Sequence, residues 1–154
     1  MPPADLNEDF LDLLRCLLTA RVEFVIVGAH ALAAHGLPRA TGDLDVLVEP
    51  TTENAERVVD ALQSFGAPLD AHGVSRADFE VPENVYQIGL PPRRIDVLTS
   101  ISGVSFEEAH DSRIEIVLEG MTLPVLGRAA LVKNKRAAGR PKDLLDVDML
   151  ERGG

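Results

Sequence analysis

Apolar positions along this chain recur in short runs of two different periods, and the periods predict the elements. Starting at Asp5, Leu6, Phe10, Leu13, Leu14, Leu17 and Leu18 return at helical spacing and predict an amphipathic helix over 5–20. The run 23–27 is apolar and β-branched, which predicts a buried strand broken by Gly28. Residues 29–35 read as a short helix closed by His35-Gly36, 36–42 as a loop, and 43–48 as a second strand ended by Pro50. Thr51 or Thr52 can cap a helix to about Ser64, with Ala55, Val58, Val59 and Leu62 on its buried face. The stretch 66–84 has no clear period. Segments 84–89 and 93–98 predict a hairpin turning at Pro91-Pro92, and Ser105 with Glu108 has capping-box spacing. Segments 113–118 and 121–125 predict a second hairpin about Glu119-Gly120. A helix over 127–138 stops at Gly139, and Pro141 opens a last one to about Arg152.

Strands that come in hairpins rather than in uniform βαβ alternation predict an α+β fold, a mixed sheet with helices packed against it. The 154 residues are enough for one domain. Its expected parts are an N-terminal helix (5–20), a sheet region (22–126) and C-terminal helices (127–152). A chain of this size can bury a core without a disulfide or a structural metal. The single Cys16 can form neither an internal disulfide nor a cysteine-based zinc site. No apolar run approaches the length of a membrane span, and the acidic start lacks the basic region of a signal peptide. The expected location is therefore the cytoplasm.

Charge is unevenly spread. Asp and Glu number 25 against 15 Lys and Arg, a net charge of -10, which disfavours non-specific binding to a nucleic-acid backbone. Yet Lys133, Lys135 and Lys142 lie together near the C-terminus, with Arg128, Arg136 and Arg140 beside them. This segment reads either as a helix face balancing an acidic surface or as a site for anions such as phosphates.

The residues with the clearest chemistry are acids in strands. Asp43 and Asp45 are two apart, so they point the same way, while Leu44 and Val46 point into a core. Two carboxylates about 7 Å apart on one strand are tolerable near water or a divalent cation, and their hard oxygens suit Mg²⁺ or Mn²⁺. Alone, Asp-x-Asp also fits a solvated strand end. Asp96, between Ile95 and Val97, is another acid in an apolar strand, costly unless it meets solvent or a partner. If its strand lies beside that of Asp43, three carboxylates converge. Gly28, at a strand-to-helix junction, allows close backbone approach.

Together Gly28-Ala29, Asp43-Leu-Asp45 and Asp96 resemble the signature of the nucleotidyltransferase superfamily that includes DNA polymerase beta. Residues 27–45 are similar to one branch of it, the toxins of bacterial abortive-infection toxin–antitoxin systems and their short relatives. The resemblance implies a nucleotidyltransferase-like fold with Mg²⁺ or Mn²⁺ held by Asp43, Asp45 and Asp96, Asp96 also serving as general base. It implies a nucleotide site at Gly28, Ala29, Arg39, Thr41, Lys133, Arg136 and Lys142, with Asp143 and Asp146 orienting basic residues. Ala29 departs from the usual Gly or Ser; Lys133 fits a solvated helix face, and Arg39 a surface pair with Glu49 or Asp45, as well as phosphate contacts.

The function so implied is transfer of a nucleoside monophosphate from an NTP to a hydroxyl of RNA, protein or a small molecule. An antitoxin-like protein is the expected partner. The alternative is a module of the same fold that binds nucleotide or a protein without turnover. A P-loop is absent, as is any spacing that supports a Ser/His/Asp triad; His30 and His35 flank the short helix, and His72 and His110 have no partners in metal-ligand spacing.

Overall fold

A computed structural model describes residues 7–37 and 42–153. The first helix, α1 (Glu8–Thr19), is capped by Asn7, whose side chain accepts from the Phe10 N–H at 2.9 Å. Such a cap is worth about 1 kcal/mol. Its apolar stripe, Phe10, Leu13, Leu14 and Leu17, is buried. There follow β1 (Phe24–Val27), α2 (Gly28–Ala34), β2 (Leu44–Val48) and α3 (Thr52–Phe65), with the Thr51 side chain capping α3. The unassigned stretch 66–84 contains a 3-10 turn (Arg76–Phe79) that buries Phe79. Then come β3 (Val85–Ile88), β4 (Ile95–Leu98), α4 (Phe106–Asp111), β5 (Ile114–Leu118), β6 (Met121–Val125), α5 (Arg128–Ala138) and α6 (Pro141–Arg152). This is the α+β plan read from the chain, and both hairpins are antiparallel as expected.

The six strands form one mixed sheet in the order β3-β4-β2-β1-β6-β5. β2 runs antiparallel to β1 and parallel to β4, which places Asp45 opposite both Val27 and Asp96. Paired residues share a face, so Asp45, Asp96 and Val27 face one way. Leu44, Val46, Ile95 and Val97 face the other and are buried. On that second face Phe79 of the 3-10 turn and Tyr86 and Val97 of the sheet line a small cavity, and α3 packs on the turn and on α1. Buried Asn54 on α3 clips the sheet in place. Its side chain donates to the Glu23 and Glu49 carbonyls, both at 3.0 Å, and accepts from the Glu23 N–H at 2.7 Å. Among the described residues no helix is long and apolar enough to cross a membrane.

Candidate active site

The acid-bearing face opens into a cavity of about 830 Å³. It is lined by Val27, Gly28, Asp43, Asp45, Arg94 and Asp96 from the sheet region, and by Asn134, Lys135 and Ala138 of α5 with Arg140, Lys142, Asp143 and Asp146 around the start of α6. The three acids thus meet, because β4 lies directly beside β2 and parallel to it. Asp43 precedes the strand rather than belonging to it, yet it lines the same cavity as Asp45.

These acids are strongly coupled. Burial first, then the charge and hydrogen bonding of Asp96 and the charge of Asp43, push the Asp45 carboxyl up to about 7, against the pull of Arg94. Asp45 Oδ1 is buried without a hydrogen-bond partner among the described residues. Arg94 neutralises the other two acids. Its Nε donates to Asp96 Oδ1 at 2.8 Å and its Nη2 to Asp96 Oδ2 at 3.2 Å. The same Nη2 lies 3.3 Å from Asp43 Oδ2, and the Arg94 backbone N–H donates to Asp43 Oδ1 at 3.1 Å.

Gly28 has φ +70, and a Cβ built there would collide with the Asp45 carboxylate. The glycine is therefore required by its approach to Asp45, besides its backbone conformation. Two histidines of the α2 region tie the neighbouring chain in place. His30 Nε2 donates to the Gly42 carbonyl at 3.2 Å, just before Asp43, and His35 Nε2 donates to the Leu126 carbonyl at 2.8 Å, just before α5. Each carbonyl can only accept, which sets the proton on Nε2.

Among the helical residues of the cavity, Lys135 is buried and its Nζ lies 3.4 Å from Asp143 Oδ1 and 3.2 Å from Asp146 Oδ2. Burial lowers the Lys135 pKa, and the hydrogen bond and charge of Asp143 oppose that shift. Arg140 grips Asp143 with Nε at 2.6 Å and Nη2 at 3.2 Å, which holds the Asp143 carboxyl below its usual range. Asp143 and Asp146 thus orient basic side chains, as the chain suggested.

The basic residues that reach the cavity differ in part from those singled out. Gly28, Ala29 and Lys142 line it. Lys133 instead pairs with Glu108 at 2.9 Å, and Arg136 with Glu151 at 2.7 Å, both at the exposed surface. The α5 face that meets the cavity carries Asn134, Lys135 and Ala138, so the two flanking cations turn to other acids. Arg39 and Thr41 lie outside the described residues. Lys135 and Arg140, named only within the basic segment, and Arg94, not singled out, line the cavity as well, and Lys135 and Arg94 each left a signal. Lys135 follows Leu131 by four residues, a lysine on the buried stripe of its helix. Arg94 precedes Asp96 by two, which at strand period puts both on one side.

The donor set fits a divalent cation: three hard carboxylates, one with an unpartnered buried oxygen, already holding a guanidinium. As the side chains stand, no three His, Cys, Asp or Glu among the described residues are grouped to hold a metal ion. With Arg94 engaged, Asp43 and Asp96 are turned to it.

No protein-family model and no curated protein matches this sequence. Among solved structures it is similar to a Thermotoga maritima protein described as a "putative nucleotidyltransferase", with a TM-score of 0.56 and 14% identity. The match covers 96% of this chain and 93% of that one. At that identity the likeness shows a shared, nucleotidyltransferase-like fold.

Proposed function

We propose that this protein transfers a nucleotidyl group from a nucleoside triphosphate to a hydroxyl acceptor, with Mg²⁺ or Mn²⁺ held by Asp43, Asp45 and Asp96. One observation carries the reading: Asp45 and Asp96 stand in register in a cavity that Lys135, Arg140 and Lys142 also line. Carboxylates from the sheet and, from the helices, Lys142 beside the Asp-paired Lys135 and Arg140 suit a ligand that is itself a metal-bound polyphosphate. The shared fold supports the same reading.

A cation bound at the acids neutralises triphosphate charge and polarises the reacting phosphoryl oxygens. The side chains do the rest. Asp96 takes the proton of the acceptor hydroxyl as that oxygen attacks the α-phosphorus. The bond from the α-phosphorus to the bridging oxygen breaks, and pyrophosphate leaves with the electron pair. Lys135, Arg140 and Lys142 hold that leaving group and the charge that grows on it. The proton then passes from Asp96 to solvent.

The net charge of -10 favours an acceptor with a small footprint, whether a small molecule, a protein side chain or one end of an RNA. The toxin-type resemblance over 27–45 adds a further expectation: expression without a protein partner arrests growth, and expression of Asp45→Asn does not.

The test is thermal unfolding with each NTP, with and without Mg²⁺, on wild type and Asp45→Asn, followed by transfer of label from the α-phosphate. A ligand at about 100 times its dissociation constant adds roughly 2.7 kcal/mol, a shift of a few degrees. A metal-dependent shift lost in Asp45→Asn, with label transferred, supports the reading. A shift without transfer supports the second reading, a binding module, which the engagement of Asp43 and Asp96 by Arg94 favours.

A further inference from the structure

We infer that Arg94 is a built-in counter-cation which a divalent metal must displace, so that this site resists metal until another anion draws the guanidinium away. The inference rests on the metal reading above and adds a regulatory element to it.

Three of the four carboxylate oxygens of Asp43 and Asp96 accept hydrogen bonds from Arg94, two from the guanidinium and one from the backbone, and the fourth, Asp43 Oδ2, lies 3.3 Å from the guanidinium Nη2. Of these three acids, Asp45 alone has a buried oxygen without a hydrogen-bond partner among the described residues. A metal ion that used Asp43 and Asp96 would meet the guanidinium at contact distance, where two cations repel strongly. One of them must leave. The Arg94 side chain is 28% exposed and borders the cavity, so it has both a route and room to swing. The anion it would meet there is the incoming polyphosphate, whose oxygens match the planar fork as well as a carboxylate does. Metal and nucleotide then bind with positive coupling, because each frees the partner of the other.

Arg93 supplies the control, since it is exposed and carries the same charge one residue away. Mn²⁺ alone, without nucleotide, is titrated into the full-length chain and the free ion is read by electron paramagnetic resonance. Arg94→Gln binds Mn²⁺ tighter than wild type by roughly tenfold or more, the coupling expected when a partly buried ion pair no longer has to be broken. Arg93→Gln stays within about twofold, because an exposed charge is largely screened. Arg94→Lys, which keeps the charge but loses the fork, falls between them. Adding Asp45→Asn to Arg94→Gln abolishes the binding.

Equal tightening in Arg93→Gln and Arg94→Gln overturns the inference, because the effect is then one of net charge. Weaker binding in Arg94→Gln also overturns it, because Arg94 then organises the acids instead of competing for them. Failure of every variant to bind Mn²⁺ overturns the metal reading itself. If Arg94→Gln does not fold, Arg94→Lys against Arg93→Gln decides the same question.

Discussion

Asp45 and Asp96 stand directly opposite one another on neighbouring parallel strands, one of them with its pKa raised to about 7. Neighbouring strands lie about 4.8 Å apart, so the two carboxylates share one patch of low dielectric and cannot both ionise freely. The folded protein keeps a proton on Asp45 up to about pH 7, whereas the unfolded chain releases it near 3.8. Between those values the folded state binds more protons, so this group contributes falling stability as pH rises through the window.

Asp45→Asn removes the effect. Its stability is flatter than wild type from about pH 4 to pH 7 and exceeds that of wild type at pH 8, where the Asp45 carboxyl has ionised. Its transfer activity falls by at least about a hundredfold. Asp143 acts with the opposite sign, because its pKa is held down by Arg140 and its contribution is lost only as pH falls below the ordinary carboxylate range. Urea titrations across pH, on both proteins without metal, separate the two. Identical pH profiles would remove the coupling of Asp45 to Asp96 from the account.

Gly28→Ala meets two obstacles at once. Its φ of +70 disfavours any Cβ, and the Cβ would strike the Asp45 carboxylate, whose Cγ would lie only 3.1 Å away. Gly36 also has positive φ, +91, but a Cβ there meets nothing within 4 Å. Gly36→Ala therefore costs about 1 kcal/mol for backbone strain alone. Gly28→Ala costs more, about 2–3 kcal/mol, and moves Asp45 as well. Thermal melts of the two variants, with nucleotide and Mg²⁺ added, show whether only Gly28→Ala loses the ligand-induced shift.

Asn54 offers a stability change remote from the cavity. Its side chain satisfies two carbonyls and one N–H at the ends of β1 and β2 from a buried position. Asn54→Leu keeps the branched shape and strands those groups, at a cost of about 2–4 kcal/mol. Where the variant is still folded, the KM for nucleotide is unchanged. A shifted KM would mean that the clip also positions the site.

Local periodicity carried most of the fold. The leucine stripe of α1, the apolar run of β1 and the turn at Glu119-Gly120 each depend on neighbours in sequence, and each stands where the pattern put it. The meeting of Asp43 and Asp45 with Asp96 depends on strand order, which periodicity does not encode, and it entered through the family resemblance. The basic residues were the least legible. A helix offers several faces, and which face meets a cavity depends on how α5 docks on the sheet. Lys133 and Arg136 had the more conspicuous spacing, while Lys135 sat on the buried stripe where a lysine is out of place. Arg94 was hidden in an Arg-Arg pair, of which only the second member has the strand parity of Asp96.

The two lysines separated by one residue on α5 give the sharpest contrast in energy. Lys133 pairs with Glu108 at a surface where both side chains are well exposed, 55% and 40%, so its ion pair is screened by solvent. Lys133→Ala changes stability by under about 0.5 kcal/mol and leaves nucleotide affinity as it was. Lys135 lies between two aspartates that are almost wholly enclosed, with side-chain exposures of 0% and 3%. Arg140 still serves Asp143 when Lys135 is removed, which limits the damage to that acid. Asp146 loses the ammonium 3.2 Å away in a buried position, and breaking a buried ion pair by removing one partner costs about 3 kcal/mol. Lys135→Met, close in length and apolar, is therefore destabilised by about that amount in urea unfolding. It also raises the KM for nucleotide, because the cavity lining has lost its enclosed cation. Equal effects of the two substitutions on stability and on KM would mean that the cavity wall does not act through Lys135.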